Sequence, residues 1–294
     1  MPIQPTNRSQ PLTIAIAGAT GRVGSQLIRQ FAQDPVTILA LTRGKSATAL
    51  PEGVAVRELD FAEPATLTKA LAGVDKLFIA HGTSPEQVAN EIALIDAAIE
   101  MGVRHIVKLS VMGPSTSINP FAWHSLIEAH LGQQSVASTV LRPTTFMDVL
   151  KRAGNAVATG TWAGAAGNGR VNLIDTRDVA ACARAALLEE VAAGSKHAYH
   201  LTGPENWSMP QIAEQLSRLL GHQVVYQHRS PAAQHDALVA NGLSAFVAEL
   251  LVGLDRIFND CVLIERTLTV EDLTGHPPRS LTAWLCENID MFKK

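Results

Sequence analysis

The sequence predicts an α/β fold: a doubly wound parallel sheet with a small, mostly helical C-terminal region. Short apolar segments rich in β-branched residues alternate with helix-spaced segments through the first half of the chain. A glycine-rich turn separates the first predicted strand from the first predicted helix. From Pro231 onward the pattern is mostly helical. Such alternation is typical of parallel sheets with right-handed helical crossovers.

The first half accounts for the predicted sheet. Four helices are predicted in this half, at residues 25–31, 64–71, 85–101 and 121–131. Pro64 is suited to a first turn and Gly102 to a helix end. The sixth strand is expected to stop at Arg142 and Pro143. Six strands are predicted, at residues 12–17, 36–41, 54–59, 75–80, 105–110 and 136–141.

The second half is less regular. Residues 154–169 are rich in glycine and alanine and are expected to form a loop with at most a short strand. Helices are predicted at 178–190 and 209–220, a last strand of the main sheet at 197–201 and a short strand at 224–227. We therefore expect a sheet domain at 1–155 and a cap at 156–294, with 197–202 returning to the sheet. The cap would cover the carboxyl edge, where open α/β sheets bind ligands.

Composition limits the class of protein. Of 294 residues, 47% are hydrophobic and 17% charged, which is typical of a globular chain and not of a disordered one. A net charge of −3 argues against a broad basic surface for nucleic acid. We see no secretory signal and no apolar stretch near the ~20 residues of a membrane helix. Three scattered cysteines favour a reducing cytoplasm, and the scattered histidines show no metal-ligand spacing.

The glycine-rich turn predicts a phosphate-binding loop. Gly18, Gly21 and Gly24 are spaced G-x-x-G-x-x-G between strand and helix, with Thr20, Arg22 and Val23 inside the turn. Glycine lets the backbone approach a pyrophosphate, and a helix N-terminus offers unpaired N–H groups. The alternative is an ordinary turn that uses glycine for positive φ.

The residues after the second strand favour NADP(H) over NAD(H). NAD sites usually carry an acid there for the ribose 2′-hydroxyl, whereas this chain has Leu41-Thr42-Arg43-Gly44-Lys45. Arg43 suits a 2′-phosphate, and Arg22 could reach the same group. The alternative is a pair of solvated surface cations.

Other residues at predicted strand ends complete the expected site. Asp60 and Phe61 would flank the adenine, and Ala80, His81 and Gly82 the second ribose, although a structural role for His81 is the alternative. Substrate-pocket residues are expected from 146–150, Trp162 and the helices after residue 231. At the end of the sixth strand, the nicotinamide would be bordered by Pro143 and Phe146.

Several motifs together resemble the NmrA-like group of atypical short-chain dehydrogenases/reductases. They are the glycine loop, Leu41-Thr42-Arg43, Leu109-Ser110, Leu141-Arg142-Pro143, Asp175-x-x-Asp178-Val179-Ala180 and Leu201-Thr202-Gly203-Pro204. The stretch from Leu273 to Ser280 is similar to that of bacterial members related to ergot-alkaloid-type reductases and NAD(P)H azoreductases. The resemblance covers nearly the whole chain and implies a Rossmann core, a small C-terminal domain and, usually, NADP(H).

The chain departs from the superfamily at the catalytic pair. The usual tyrosine with a lysine four residues on is absent, and His124 and Glu128 stand in its place, on one helix face by their i, i+4 spacing. One interpretation makes His124 the general acid, oriented by Glu128. A second makes them a surface pair, and a third lets solvent supply the proton. Ser110 matches the superfamily's serine beside the reacting carbonyl, or it satisfies a strand end.

Two functions follow. The first is an NADPH-dependent reductase of a small apolar or cyclic acceptor, such as a carbonyl, imine, quinone-like or azo compound. The second is a non-catalytic NADP(H) sensor that binds a protein partner, which the missing tyrosine–lysine pair favours. In the first case the expected partner is a small-molecule substrate, and binding to nucleic acid or to a membrane is not expected. The sequence leaves open whether the chain forms a homodimer.

Overall fold

The computed structural model describes residues 11–44, 50–51, 54–113 and 120–293. Lys45 and the first ten residues, where the absence of a secretory signal was expected, lie outside this part. The strands are β1 (Leu12–Ala17), β2 (Val36–Thr42), β3 (Ala55–Glu58), β4 (Lys76–Ile79), β5 (His105–Leu109), β6 (Ala137–Pro143), β7 (Thr145–Phe146), β8 (Thr161–Gly164), β9 (Arg170–Ile174), β10 (Lys196–Leu201), β11 (Asn206–Ser208) and β12 (Val225–His228).

Helices alternate with the strands of the first half and dominate the end of the chain. Short 3₁₀ helices lie at Phe31–Gln33, Met147–Ala153 and Ile289–Phe292. The α-helices are α1 (Arg22–Gln30), α2 (Pro64–Leu71), α3 (Gln87–Glu100), α4 (Phe121–Gln133), α5 (Gly154–Ala158), α6 (Thr176–Leu188), α7 (Met209–Leu220), α8 (Pro231–Ala240), α9 (Ala245–Asn259), α10 (Thr269–Thr274) and α11 (Leu281–Glu287). No helix in the described ranges is both long and apolar enough to cross a membrane.

The central sheet confirms the predicted α/β class. Its seven strands lie in the order β10-β6-β5-β4-β1-β2-β3. The pairings of β1 with β2 and β4, of β2 with β3 and of β4 with β5 are all parallel. The strand order reverses between β1 and β4, which is the switch point where doubly wound sheets bind ligands at their carboxyl ends.

Two elements differ from expectation. Strand β6 continues to Pro143, because a proline at a strand end needs only its carbonyl, and Pro143 accepts the Met112 N–H at 2.8 Å. Residues 154–169 hold the short strand that the prediction allowed, β8, but they also hold helix α5, which was not expected. The glycines there serve close packing: a Cβ on Gly154 would lie 2.6 Å from the Met291 carbonyl oxygen.

The chain divides into two compact units. Unit 1 comprises residues 1–109, 127–140 and 183–198, and unit 2 comprises 110–126, 141–182 and 199–294. In unit 1 the apolar strands supply one wall of a core that α2 and α3 complete, with Leu77, Ile95 and Ile106 fully buried.

Unit 2 has its own core and two small sheets. Strands β11, β9 and β7 form one sheet, and β12 pairs in parallel with β8 in the other. Leu173, Ile212, Leu285 and Phe292 are buried together. Helix α7 begins with the Ser208 capping box and ends at Gly221, whose φ is +75°, so its sequence-predicted bounds are met.

Candidate functional site

The glycine loop is packed backbone against backbone. Gly18 has a φ of +80°, and a Cβ there would lie 2.1 Å from the carbonyl oxygen of Ala80 at the end of β4. A Cβ on Gly24 would lie 2.2 Å from the Gly18 oxygen, and Gly21 donates its N–H to that same oxygen at 2.9 Å. Only glycine fits at positions 18 and 24 without displacing backbone.

The glycine loop leads into helix α1, whose N-terminus has no side-chain cap. Gly21 is the N-cap of α1, no side chain caps its N–H groups, and its first turn holds no acidic residue. The first N–H groups of a helix have no intrahelical partners and carry partial positive charge. This cradle of glycine backbone therefore fits a pyrophosphate group.

A cavity of about 410 Å³ opens beside the loop within unit 1. The rings of Phe61 and His81 meet edge to face on its lining, with centroids 5.6 Å apart. Leu41, Leu59 and Ile79 add apolar surface. Seven of the predicted nucleotide-binding residues line this one cavity: Gly18, Thr20, Arg43, Phe61, Ala80, His81 and Gly82.

His81 is held by two hydrogen bonds. The Asn90 side-chain amide donates to Nε2 at 3.1 Å, so Nδ1 carries the proton and donates to the Gly82 carbonyl at 2.6 Å. Both ring nitrogens are therefore engaged by the protein, as the structural alternative for His81 requires.

Arg43 lies at an exposed corner of the cavity. It follows β2 and precedes Gly44, whose φ is +90°. An acid also borders this corner, since Glu58 Oε1 lies 3.4 Å from the place that a Cβ on Gly44 would take. Arg22 is exposed at the start of α1 and is outside the cavity lining.

The remaining predicted residues of the loop region lie elsewhere in unit 1. Val23 is buried against the core, so only its backbone can serve a ligand at the loop. Asp60 Oδ1 accepts the Ala62 N–H at 2.9 Å and caps its own turn. Gly21 and Gly24 shape the loop without lining the cavity.

Sequence reasoning missed a buried ion pair beside the cavity. Glu91 on α3 lines the cavity, and its Oε2 lies 2.8 Å from Lys108 Nζ, with both side chains fully buried. Gln87 donates to Glu91 Oε1 at 2.9 Å. Helix α3 follows β4 directly, but only the rotation of that helix about its axis selects Glu91 and Leu94 for the lining.

The predicted reaction residues belong mainly to unit 2. Ser110 is buried and donates its N–H to the Leu141 carbonyl at 2.7 Å, while Phe146 lies in β7, paired with β9. His124 is half-buried in the first turn of α4, one turn before Glu128 in unit 1. The assignment of these residues, with Pro143, to the reaction remains a proposal.

Unit 2 contains a second cavity of about 300 Å³. Val149, Leu150 and Trp162 line it, together with residues of α8 and α9. These are segments from which sequence reasoning expects pocket residues, although Phe146 is outside the lining.

The sequence matches a known protein family and two named oxidoreductases. The model of the NmrA-like family matches residues 10–279. Quinone oxidoreductase 2 of Escherichia coli (strain K12) is 32% identical over 275 residues, which cover 91% of this chain and 96% of that protein. NAD(P)H azoreductase of Xenophilus azovorans is 30% identical over 272 residues, with coverages of 91% and 94%.

A solved relative shares the fold over nearly its full length. The crystal structure of an NADPH-dependent quinone oxidoreductase from Escherichia coli, complexed with NADPH, has a TM-score of 0.85 and 29% identity to this chain, covering 94% of this chain and 99% of that one. The glycine loop, the sheet order and these matches lead to one conclusion: this chain belongs to the NmrA-like family.

Proposed function

We propose that this chain is an NADPH-dependent reductase of a small apolar or cyclic acceptor, with a carbonyl, imine, quinone-like or azo group. It is an NAD(P)H-dependent oxidoreductase: the relatives at 32% and 30% identity are named quinone oxidoreductase 2 and NAD(P)H azoreductase. The observation that carries the proposal is the unit 1 cavity, where the glycine loop, the Phe61–His81 wall and Arg43 meet.

The cavity and the adjoining N-terminus of α1 suit different parts of the dinucleotide. The uncapped N-terminus of α1 binds the pyrophosphate through backbone N–H groups. The edge-to-face pair and the leucine side chains take the adenine, and Arg43 binds the 2′-phosphate. When bound, NADPH supplies the hydride, and the protein supplies orientation.

The first experiment is an activity screen. Purified protein is mixed with NADPH and one representative each of quinone, azo, carbonyl and imine acceptors, and NADPH oxidation is followed by its absorbance. We expect oxidation above background with at least one class. No oxidation with any of them, although NADPH binds, would favour the sensor and refute the reductase.

Arg43→Glu tests the assignment of the cofactor. Loss of a hydrogen-bonded ion pair with phosphate costs about 1.5–3 kcal/mol, so NADPH should bind roughly 10- to 100-fold more weakly. NADH affinity should not fall, because NADH lacks the phosphate and an acid at this position can bind its ribose 2′-hydroxyl. Arg29→Glu, at an exposed position in the last turn of α1, is the matched control. Unchanged NADPH affinity in Arg43→Glu contradicts the assignment.

We further propose His124 as the proton donor, with Glu128 orienting it and Ser110 beside the reacting group. Removing a general acid costs about 10²–10⁴-fold in rate. His124→Gln should therefore lower kcat with carbonyl acceptors by about that factor. His130→Gln, two turns later on α4, is the control. An unchanged kcat in His124→Gln contradicts its role as the proton donor.

A further inference from the structure

The 300 Å³ cavity of unit 2 is bordered by elements that take no part in the proposed nucleotide site of unit 1. Strands β8 and β12 form one side, and α8 and α9 another. Trp162 and Tyr226 meet edge to face there, with centroids 5.1 Å apart. Leu238, Leu254 and Phe258 add apolar surface. Its volume of about 300 Å³ lies at the small end of ligand pockets, which suits one or two rings.

Two neutral polar groups in the cavity can form hydrogen bonds with a ligand. Gln234 Oε1 is buried and has no hydrogen-bond partner within the described part of the chain. The Tyr226 hydroxyl oxygen accepts the Ala166 N–H at 3.0 Å, which leaves its hydrogen to donate. Burial raises the pKa of Tyr226 to about 12, so the phenol stays protonated. A buried acceptor without a donor is costly, and a ligand hydroxyl would remove that cost.

Three charged residues line the cavity: Asp255, Arg152 and Arg229. Asp255 accepts the Ala165 N–H at 2.9 Å, and burial raises its pKa. The positive charges of Arg152 and His228 act in the opposite direction and stabilise the carboxylate. Because Arg152 and Arg229 are both exposed, solvent screens their charges, and the apolar lining with its two neutral polar groups favours a neutral ligand.

We propose that this cavity binds a neutral aromatic molecule of one or two rings that carries a phenolic hydroxyl. Gln234 Oε1 accepts the ligand's hydroxyl hydrogen, and the Tyr226 hydroxyl donates to a ligand oxygen. The Trp162 ring and the leucine side chains take the apolar face. None of these lining residues belongs to the proposed nucleotide site, and the proposal rests on the proposed function only in that substrate-pocket residues are expected from these segments.

The test compares two probes by isothermal titration calorimetry. One is 2-naphthol, and the other is naphthalene, which lacks the hydroxyl. A hydrogen bond to a buried partner is worth about 1–1.5 kcal/mol, so 2-naphthol should bind roughly tenfold more tightly than naphthalene. In Gln234→Leu that preference should fall to about twofold or less, because the unpartnered acceptor is gone.

Filling the cavity provides an independent test. Ala237 lines it from α8, and Ala237→Phe should abolish binding of both probes. Val239, on the same helix, is 40% exposed and lies outside the lining, so Val239→Phe is the matched control. Thermal unfolding and NADPH affinity establish that each variant is folded.

Three results would overturn the proposal: no binding of 2-naphthol by the wild type, equal affinity for the two probes, or wild-type affinity in folded Ala237→Phe. Failure of the proposed reductase activity is distinguishable, since neither probe measurement requires NADPH or turnover.

Discussion

Gly18→Ala should be among the most damaging single-methyl additions in this chain. A φ of +80° costs an L-residue about 1–2 kcal/mol. The added Cβ would also lie 2.1 Å from the Ala80 carbonyl oxygen, so the loop or β4 must move. Overpacking of this kind typically costs about 1–3 kcal/mol more. We therefore expect a total loss of about 2–5 kcal/mol in unfolding free energy.

Gly73→Ala separates the two contributions. Gly73 has a φ of +73°, but nothing lies within 4 Å of an added Cβ. It should lose only the conformational part, about 1–2 kcal/mol. Urea denaturation gives both values, and NADPH titration shows whether the shifted loop still binds. Equal destabilisation of the two variants, or full NADPH affinity in Gly18→Ala, would refute the close-packed loop as the reason for glycine at position 18.

Two further predictions concern buried charge in unit 1. Lys108→Met should cost about 3–5 kcal/mol by leaving Glu91 unpaired, and adding Glu91→Leu should restore most of it; exposed Arg218→Ala, which breaks the pair with Glu214, should cost under about 1 kcal/mol in the same urea assay. His105 is neutral when folded, because burial first, then Lys76 and His197, lower its pKa from 6.5 to about 4. The unfolded chain therefore binds the extra proton, and stability falls by about 3 kcal/mol as pH drops from 6.5 to 4. His105→Gln should flatten that pH dependence of unfolding free energy, and an equal slope in the variant would contradict this account.

The spacing of apolar residues and the positions of glycine and proline made the sheet predictable from the sequence. Strand β1, the glycine turn and the Pro64 start of α2 each follow a local rule that the core reinforces. In residues 154–169 the helix α5 was missed, because the glycine and alanine content resembles a loop, whereas Gly154 allows close packing there.

The cavity linings were predictable only in part. Residues at strand ends, such as Arg43 and His81, follow from topology alone, since parallel strands end at one edge. Glu91 and Gln234 lie on helices, where the lining depends on rotation and on side chains far away in sequence. Asp60 shows that a position after a strand does not by itself predict a ligand contact, because its carboxylate accepts the Ala62 N–H within its own turn.

The division of the chain has a consequence for its cooperativity. The backbone passes from one unit to the other five times, at residues 109–110, 126–127, 140–141, 182–183 and 198–199. Helices α4 and α6 each begin in unit 2 and end in unit 1. Melting either unit therefore frays helices that the other needs, so the protein should unfold in a single transition, and no single cut would release an intact half.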